Sequence, residues 1–240
     1  EKGKMQFLIS HVMGNTSLGY KELWGFYQAT SRLSLDLGIT NKLSTGIAIH
    51  TNKKLFDGYL KYSIFRQSTG YKNFPVNIVW YSAIALNTST LNYPEDKTYL
   101  SARTSYTHQL LISRKFNENL SIQITPTVLH RNMVSTPEDH NTTFASGFLV
   151  KYKIGRKASL IGDYFWVPSG QIYSYNRFNS LSFGIEIVTS KRHAFQIFLT
   201  NSTGMDDMGS ILDTREKFNP DGWHIGFNIS TLFTLFQNNE

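Results

Sequence analysis

The sequence contains no cysteine, which removes disulfide bridges, thiolate nucleophiles and cysteine-ligated metal sites together. It has no apolar run of the roughly 18 residues that a transmembrane helix needs. There is no Gly-x-Ser-x-Gly elbow, no phosphate-binding or dinucleotide glycine motif and no EF-hand spacing, so no cofactor or metal site is expected. A signal peptide is missing too: Glu1-Lys2-Gly3-Lys4 leads straight into an amphipathic stretch, and we expect the numbering to start at or after a processing site. The net charge of +7 comes without a basic stripe interleaved with aromatics, which argues against nucleic acid. We read it as attraction toward anionic lipid headgroups or anionic solutes.

What the chain does contain is alternation. From Gly222 to Phe236 the odd positions read Trp223, Ile225, Phe227, Ile229, Thr231, Phe233 and Leu235, and the even ones His224, Gly226, Asn228, Ser230, Leu232 and Thr234. Successive strand side chains point to opposite faces, so this stretch is a ribbon with one apolar and one polar side. It is long enough to cross a bilayer as a tilted strand, which takes about 9–11 residues. The aromatic pair Phe233 and Phe236 near the end resembles the terminal strand of bacterial outer-membrane barrels. Negative mean hydropathy does not argue against this, because the two faces of a barrel strand cancel. The 17 Phe and 13 Tyr suit two interfacial girdles.

The same parity predicts eleven more strands: Met5 to Gly14, Arg32 to Ile39, Leu43 to Thr51, Gly58 to Phe65, Val76 to Thr88, Thr104 to Phe116, Leu120 to Met133, Thr143 to Lys153, Ala158 to Val167, Ser180 to Ile187 and Ala194 to Asn201. Pro126 makes the seventh the weakest, since it removes a ladder bond. Asn41-Lys42 reads as a tight two-residue turn. Pro94, Glu95 and Asp96 suit a solvated loop. Short links alternate with long polar ones, as periplasmic turns alternate with outer loops, and the even strand count returns both termini to one side. The expected fold is all-β: one domain over residues 1–240, a transmembrane antiparallel β-barrel of 12 strands in an up-and-down meander.

A soluble β-sandwich alternates as well, but its outward face should be charged. Here the face opposite the apolar one is mostly Ser, Thr, Gly, Ala, Gln and Asn, which suits a crowded barrel interior. That face carries Arg32, Asp36, Asp57, Lys61, Lys115, Arg131, Lys151, Lys153, Asp163 and Glu186, with two more bases than acids. A Lys or Arg facing lipid at mid-depth costs roughly 2–4 kcal/mol, so these residues should line the lumen. There they serve as an electrostatic plug or as a lining selective for small anions.

A lipid hydrolase of the outer-membrane phospholipase A type needs a His and a Ser two apart on one strand, with an Asn to orient the His. None of the seven His is followed two later by Ser, and only His140-Asn141-Thr142 comes near. His130-Arg131-Asn132 reads as a loop anchor at the rim. Asp206, Asp207, Asp213, Glu216 and Asp221 collect in the last loop as solvated acids, with cation bridging to lipopolysaccharide phosphates as the functional alternative.

Five segments carry a resemblance: Leu35 to Thr40, Phe56 to Tyr62, Pro126 to Asn132, Leu199 to Met205 and His224 to Ser230. They are similar to an uncharacterised β-barrel family of Bacteroidota outer membranes. The resemblance implies fold and location and carries over no catalytic or binding residue. The sequence therefore predicts a multi-pass outer-membrane protein with both termini periplasmic, in contact with outer-membrane lipids and lipopolysaccharide and with other outer-membrane proteins, and with no nucleic acid. It is expected to be non-enzymatic, either a narrow diffusion channel for small solutes or an accessory subunit of an outer-membrane complex. A phospholipase A type lipid hydrolase is the alternative.

Overall fold

A ribbon with one apolar and one polar side must hide its polar side from hydrocarbon, and twelve such ribbons do so by rolling into a cylinder. The computed structural model describes residues 1–51, 54–71, 73–89, 99–190 and 192–235. The strands are β1 (Lys4–Asn15), β2 (Thr30–Gly38), β3 (Leu43–His50), β4 (Leu55–Phe65), β5 (Asn77–Asn87), β6 (Thr104–Lys115), β7 (Leu120–Arg131), β8 (Thr142–Lys153), β9 (Ala158–Trp166), β10 (Ser180–Val188), β11 (His193–Thr200) and β12 (His224–Thr234). Each pairs antiparallel with its sequence neighbours. β1 and β12 close the barrel in an unbroken register from Lys4↔Thr234 to Val12↔Gly226.

The two parities separate as expected. Leu35, Ile47, Trp80, Phe148, Phe183 and Ile197 stand exposed on the outer wall, while Ser34, Ala48, Thr107, Thr125, Thr127 and Ser180 are buried inside. Since no second sheet covers the outer wall among the described residues, its apolar side chains are those that lipid would meet.

Two local expectations need correction, and a third, the ladder bond lost at Pro126, holds. The last strand begins at His224, because Pro220–Gly222 forms a 3₁₀ turn with the Gly222 N–H bonded to Asn219 O at 2.9 Å. The link after β2 spans four residues, 39–42, with the Thr40 hydroxyl accepting from the amides of Lys42 and Leu43. Pro126 lies within β7, and the β6–β7 ladder skips from Gln109↔Thr127 to Ile112↔Ile124, the local cost of its missing N–H. Pro94, Glu95, Asp96 and Phe236 lie outside the described residues.

One barrel end carries the start of β1, the end of β12 and the β2–β3, β4–β5, β6–β7, β8–β9 and β10–β11 connections. The far end carries the other six, among them 16–29, 132–141, 167–179 and 201–223. Two far-end links are stitched together. The buried Asp139 accepts from the Tyr173 amide at 2.7 Å and the Ser174 amide at 3.0 Å, and the Ser174 hydroxyl donates to its other oxygen. The Gln171 side chain clips both the N–H and the C=O of Phe144 on β8. His130, Arg131 and Asn132 act at the rim as anchors, with His130 bonded to Thr142 and Asn132 donating to Ser101 O at 2.7 Å.

Burial works against the Asp139 carboxylate, but the bonds from Ser174 and Tyr173 outweigh it and hold the group below the usual carboxylate range. The clasp is therefore fully present above the unfolded value of about 3.9 and is lost as pH falls through the lower folded value. Amide protection at Tyr173 and Ser174, corrected for intrinsic exchange, should fall in that acid window, and Asp139→Asn should weaken it at every pH. On the outer wall, Ile197→Arg should destabilise the barrel by roughly 2–4 kcal/mol, measured as urea-dependent folding into phospholipid vesicles.

Candidate functional site

The inner face is not an open tube. The link between β11 and β12 turns inward instead of lying over the mouth, and its residues Asp207–Leu212 form a short helix, α1, inside the barrel. Met208, Ile211 and Leu212 are buried against Leu129 of β7, Ala145 of β8 and Val167, with Phe165 and Ile172 packed alongside. Burying each such side chain stabilises the plug by about 1.5–3 kcal/mol. Among the large apolar inward residues of β7 to β9, Leu129 and Phe165 are the ones that pack against α1. They are the seat of the plug.

Polar contacts complete the attachment. The Asp206 side chain caps α1 by accepting from the Gly209 amide, and Asp207 accepts from the Tyr81 hydroxyl at 2.5 Å. Arg177 donates to Ile211 O at 3.1 Å, and Tyr175 donates to Asp213 at 2.8 Å. Burial pushes the Tyr175 phenol up to about 12, with the Asp213 carboxylate adding to the shift, so the hydroxyl remains a donor at neutral pH. Glu216 meets His224 at 3.0 Å and Asn15 at 2.7 Å. Asp206, Asp207, Asp213 and Glu216, read from sequence as solvated acids, are thus structural. The fold turns their loop inward, where each carboxylate meets a donor.

The plug separates two cavities that share Met205 and Asp206. One, of about 350 Å³, is lined by Arg32, Asp36, Asp57, Tyr59, Lys61 and Tyr81 together with Gln109, Gln123 and Thr125. The other, of about 300 Å³ and nearer the far end, is lined by His50, His224, Asp213, Arg215 and Glu216. In the first, Asp57 takes both Arg32, at 3.0 and 3.2 Å, and His50. Asp36 accepts from the Tyr59 hydroxyl at 2.6 Å. Gly46 makes that pair possible, since a Cβ there would sit 2.2 Å from the Asp36 carboxylate. The Lys61 ammonium lies 4.5 Å from the Tyr59 ring centre and 5.4 Å from that of Tyr81, an aromatic corner on the cavity wall.

The ten charged positions read from sequence fall into groups. Arg32, Asp36, Asp57 and Lys61 share the larger cavity. Lys151 pairs with Glu186, which also accepts from Gln196 at 2.9 Å. Asp163 accepts from Ser182 at 3.2 Å, and Arg131 approaches Asp213 at 3.9 Å. Lys115 and Lys153 are exposed at strand ends near the termini, away from the cavity. Asp206 and Asp207 on the plug bring two more carboxylates into the larger cavity, which thus holds four acids, with Asp36 and Asp57, against the two bases Arg32 and Lys61. Tyr59, Tyr81 and His50 were not singled out from sequence; the available signal was a bulky ring on the small-residue parity.

Four histidines stand on the outward parity, each with Nδ1 at a hydroxyl of the neighbouring strand. They are His11 with Ser31 at 2.7 Å, His108 with Ser82 at 3.0 Å, His130 with Thr142 at 2.8 Å and His193 with Thr231 at 3.1 Å. The Nδ1 partner is a hydroxyl in each case, not the carboxylate that orients a catalytic base in a Ser-His-Asp triad. Among the described residues, no cluster of three or more His, Asp or Glu is arranged to hold a metal ion.

Solved structures with the same fold include the NanC porin, with a TM-score of 0.57 and 9% identity over 97% of this chain and 100% of that one. The KdgM porin in complex with disordered oligogalacturonate scores 0.56 at 8% identity, over 97% and 99%. Outer membrane phospholipase A from Escherichia coli scores 0.50 at 12% identity, over 97% and 91%. At these identities the likeness is one of fold: a porin-like outer-membrane β-barrel. No curated protein matches the chain. A family model described as "Membrane bound beta barrel domain (DUF5777)" matches residues 1–233, and the chain belongs to that family.

Proposed function

We propose that the protein is a narrow, non-catalytic diffusion channel for small polar or charged solutes, with the α1 segment as its constriction. One observation carries this reading: the lumen has a charge-lined cavity on each side of a partition that is a single inward-folded link, not part of the barrel wall. A barrel sealed for purely structural reasons would be filled by wall side chains. Here Arg32, Lys61, Tyr59 and Tyr81 line free volume in the larger cavity. Small solutes are favoured by the dimensions, since about 350 Å³ lies at the lower end of small-molecule pocket volumes. With four carboxylates against two bases, the larger cavity favours cations over anions of the same size. The porin fold of NanC and KdgM supports the reading as a likeness of architecture. We place the termini and short links in the periplasm and the plug-bearing end outside, as the link lengths suggest.

In planar bilayers the purified barrel should show small conductance steps. Replacing Met205 to Leu212 with a Gly-Ser linker should enlarge them several-fold, and Tyr81→Phe should raise open probability by releasing Asp207. Absence of conductance in both the native and the linker protein, with folding verified by heat-dependent gel mobility, would overturn the channel.

A further inference from the structure

The link between β1 and β2, residues 16–29, goes the opposite way from the plug. Near the far end of β1, Val12 pairs with Gly226 and Asn15 with His224, so Met13 and Gly14 together oppose Ile225. A bulge of this kind turns both residues toward the side of the one they oppose. Ile225 shares the outward parity of Phe227 and Ile229, whereas Asn15 reaches inward to Glu216. Met13 is nonetheless only 8% exposed, against 36% for the outward Phe7 lower on the same strand.

The link packs against this bulge at Gly14. A Cβ on Gly25 would lie 2.5 Å from the Gly14 carbonyl carbon, and one on Gly14 would lie 2.8 Å from Gln28 Cβ. Residues 25–28 therefore rest on the outer wall at the rim. The chain reverses there through Leu23 and Trp24, with φ of 48° and 49°, a region non-glycine residues rarely occupy. The reversal turns apolar groups outward: Tyr20 is 70% exposed, Leu23 60%, Tyr27 58%, and Trp24 and Phe26 50% each.

An apolar patch of this kind facing water is unusual on a soluble surface. This one continues the lipid-facing belt of the strands it joins, through Ile9, Leu33 and the His11 ring stacked on Phe227 at 5.1 Å. Its composition matches a membrane boundary: Trp and Tyr rings with polar tips, a Leu and a Phe, and Lys21 between them. We propose that residues 20–27 form a foot seated in the boundary between lipid headgroups and acyl chains, holding the far-end rim of β1 and β2 at a fixed depth.

The absence of cysteine makes the test direct. A single Leu23→Cys protein carrying an environment-sensitive fluorophore is folded into phosphatidylcholine vesicles. The emission should shift to the blue relative to detergent-free denatured protein, fall when brominated acyl chains are introduced, and resist aqueous iodide. A label quenched by iodide and untouched by brominated lipid overturns the foot. So does a label shielded from both, because the occupant is then protein. Chemical cross-linking through Lys21 in that case tells a second copy from another partner. Since the label could itself alter insertion, unlabelled Trp24→Ser/Phe26→Ser is read alongside. It should keep the heat-dependent gel mobility of the folded barrel yet show raised exchange at the Met13 and Gly14 amides in vesicles, and unchanged protection there also overturns the proposal.

Discussion

Hydrocarbon offers no hydrogen-bond partner to a peptide group, so a strand crossing it must find both ladders within the protein. The continuous register between β1 and β12 follows from this constraint. Once the first and last strands pair, no edge is left. Every other feature of the wall is a consequence: the even strand number, the alternation of apolar and polar side chains, and the concentration of charge on the inner face. The exception is Pro126, which gives up a donor in β7 and leaves a gap in the β6–β7 ladder.

Closure creates a second problem inside. A twelve-stranded cylinder is too wide for small side chains to fill, and its inner residues are predominantly small. The space is divided among three solutions. Ion pairs such as Lys151 with Glu186 and Arg32 with Asp57 neutralise charges in place. Tyr59 and Tyr81 project rings into the volume. The far half is stopped by α1, which brings its own apolar face and two carboxylates. An apolar seat is needed for such a plug, and Leu129, Ala145 and Val167 supply it. The remaining cavities are where solute passage becomes physically reasonable.

The two longest-range decisions of the chain therefore concern its far-end links. The one after β11 turns into the lumen and the one after β1 turns out over the wall. Both are polar and aromatic in composition, and neither direction follows from length. In each case a packing partner decides: the plug meets a hydrophobic seat, and the outward link meets paired glycines, Gly14 and Gly25, that let two backbones touch.

The sequence by itself determined the barrel. Alternation has a fixed period of two and acts locally, so Leu33, Leu35 and Leu37 against Arg32, Ser34 and Asp36 state which side faces lipid without reference to the rest of the chain. Strand number, meander order and the polar character of the lumen all follow from repeating that pattern. Only the tertiary structure decided what the loops do. Asp207 belongs to a loop in the sequence and meets Tyr81, 126 positions away, only because eleven strands have curled to bring β5 opposite the mouth of β11. Contacts of that range depend on closure geometry and on which side chains leave room, quantities that no local pattern encodes.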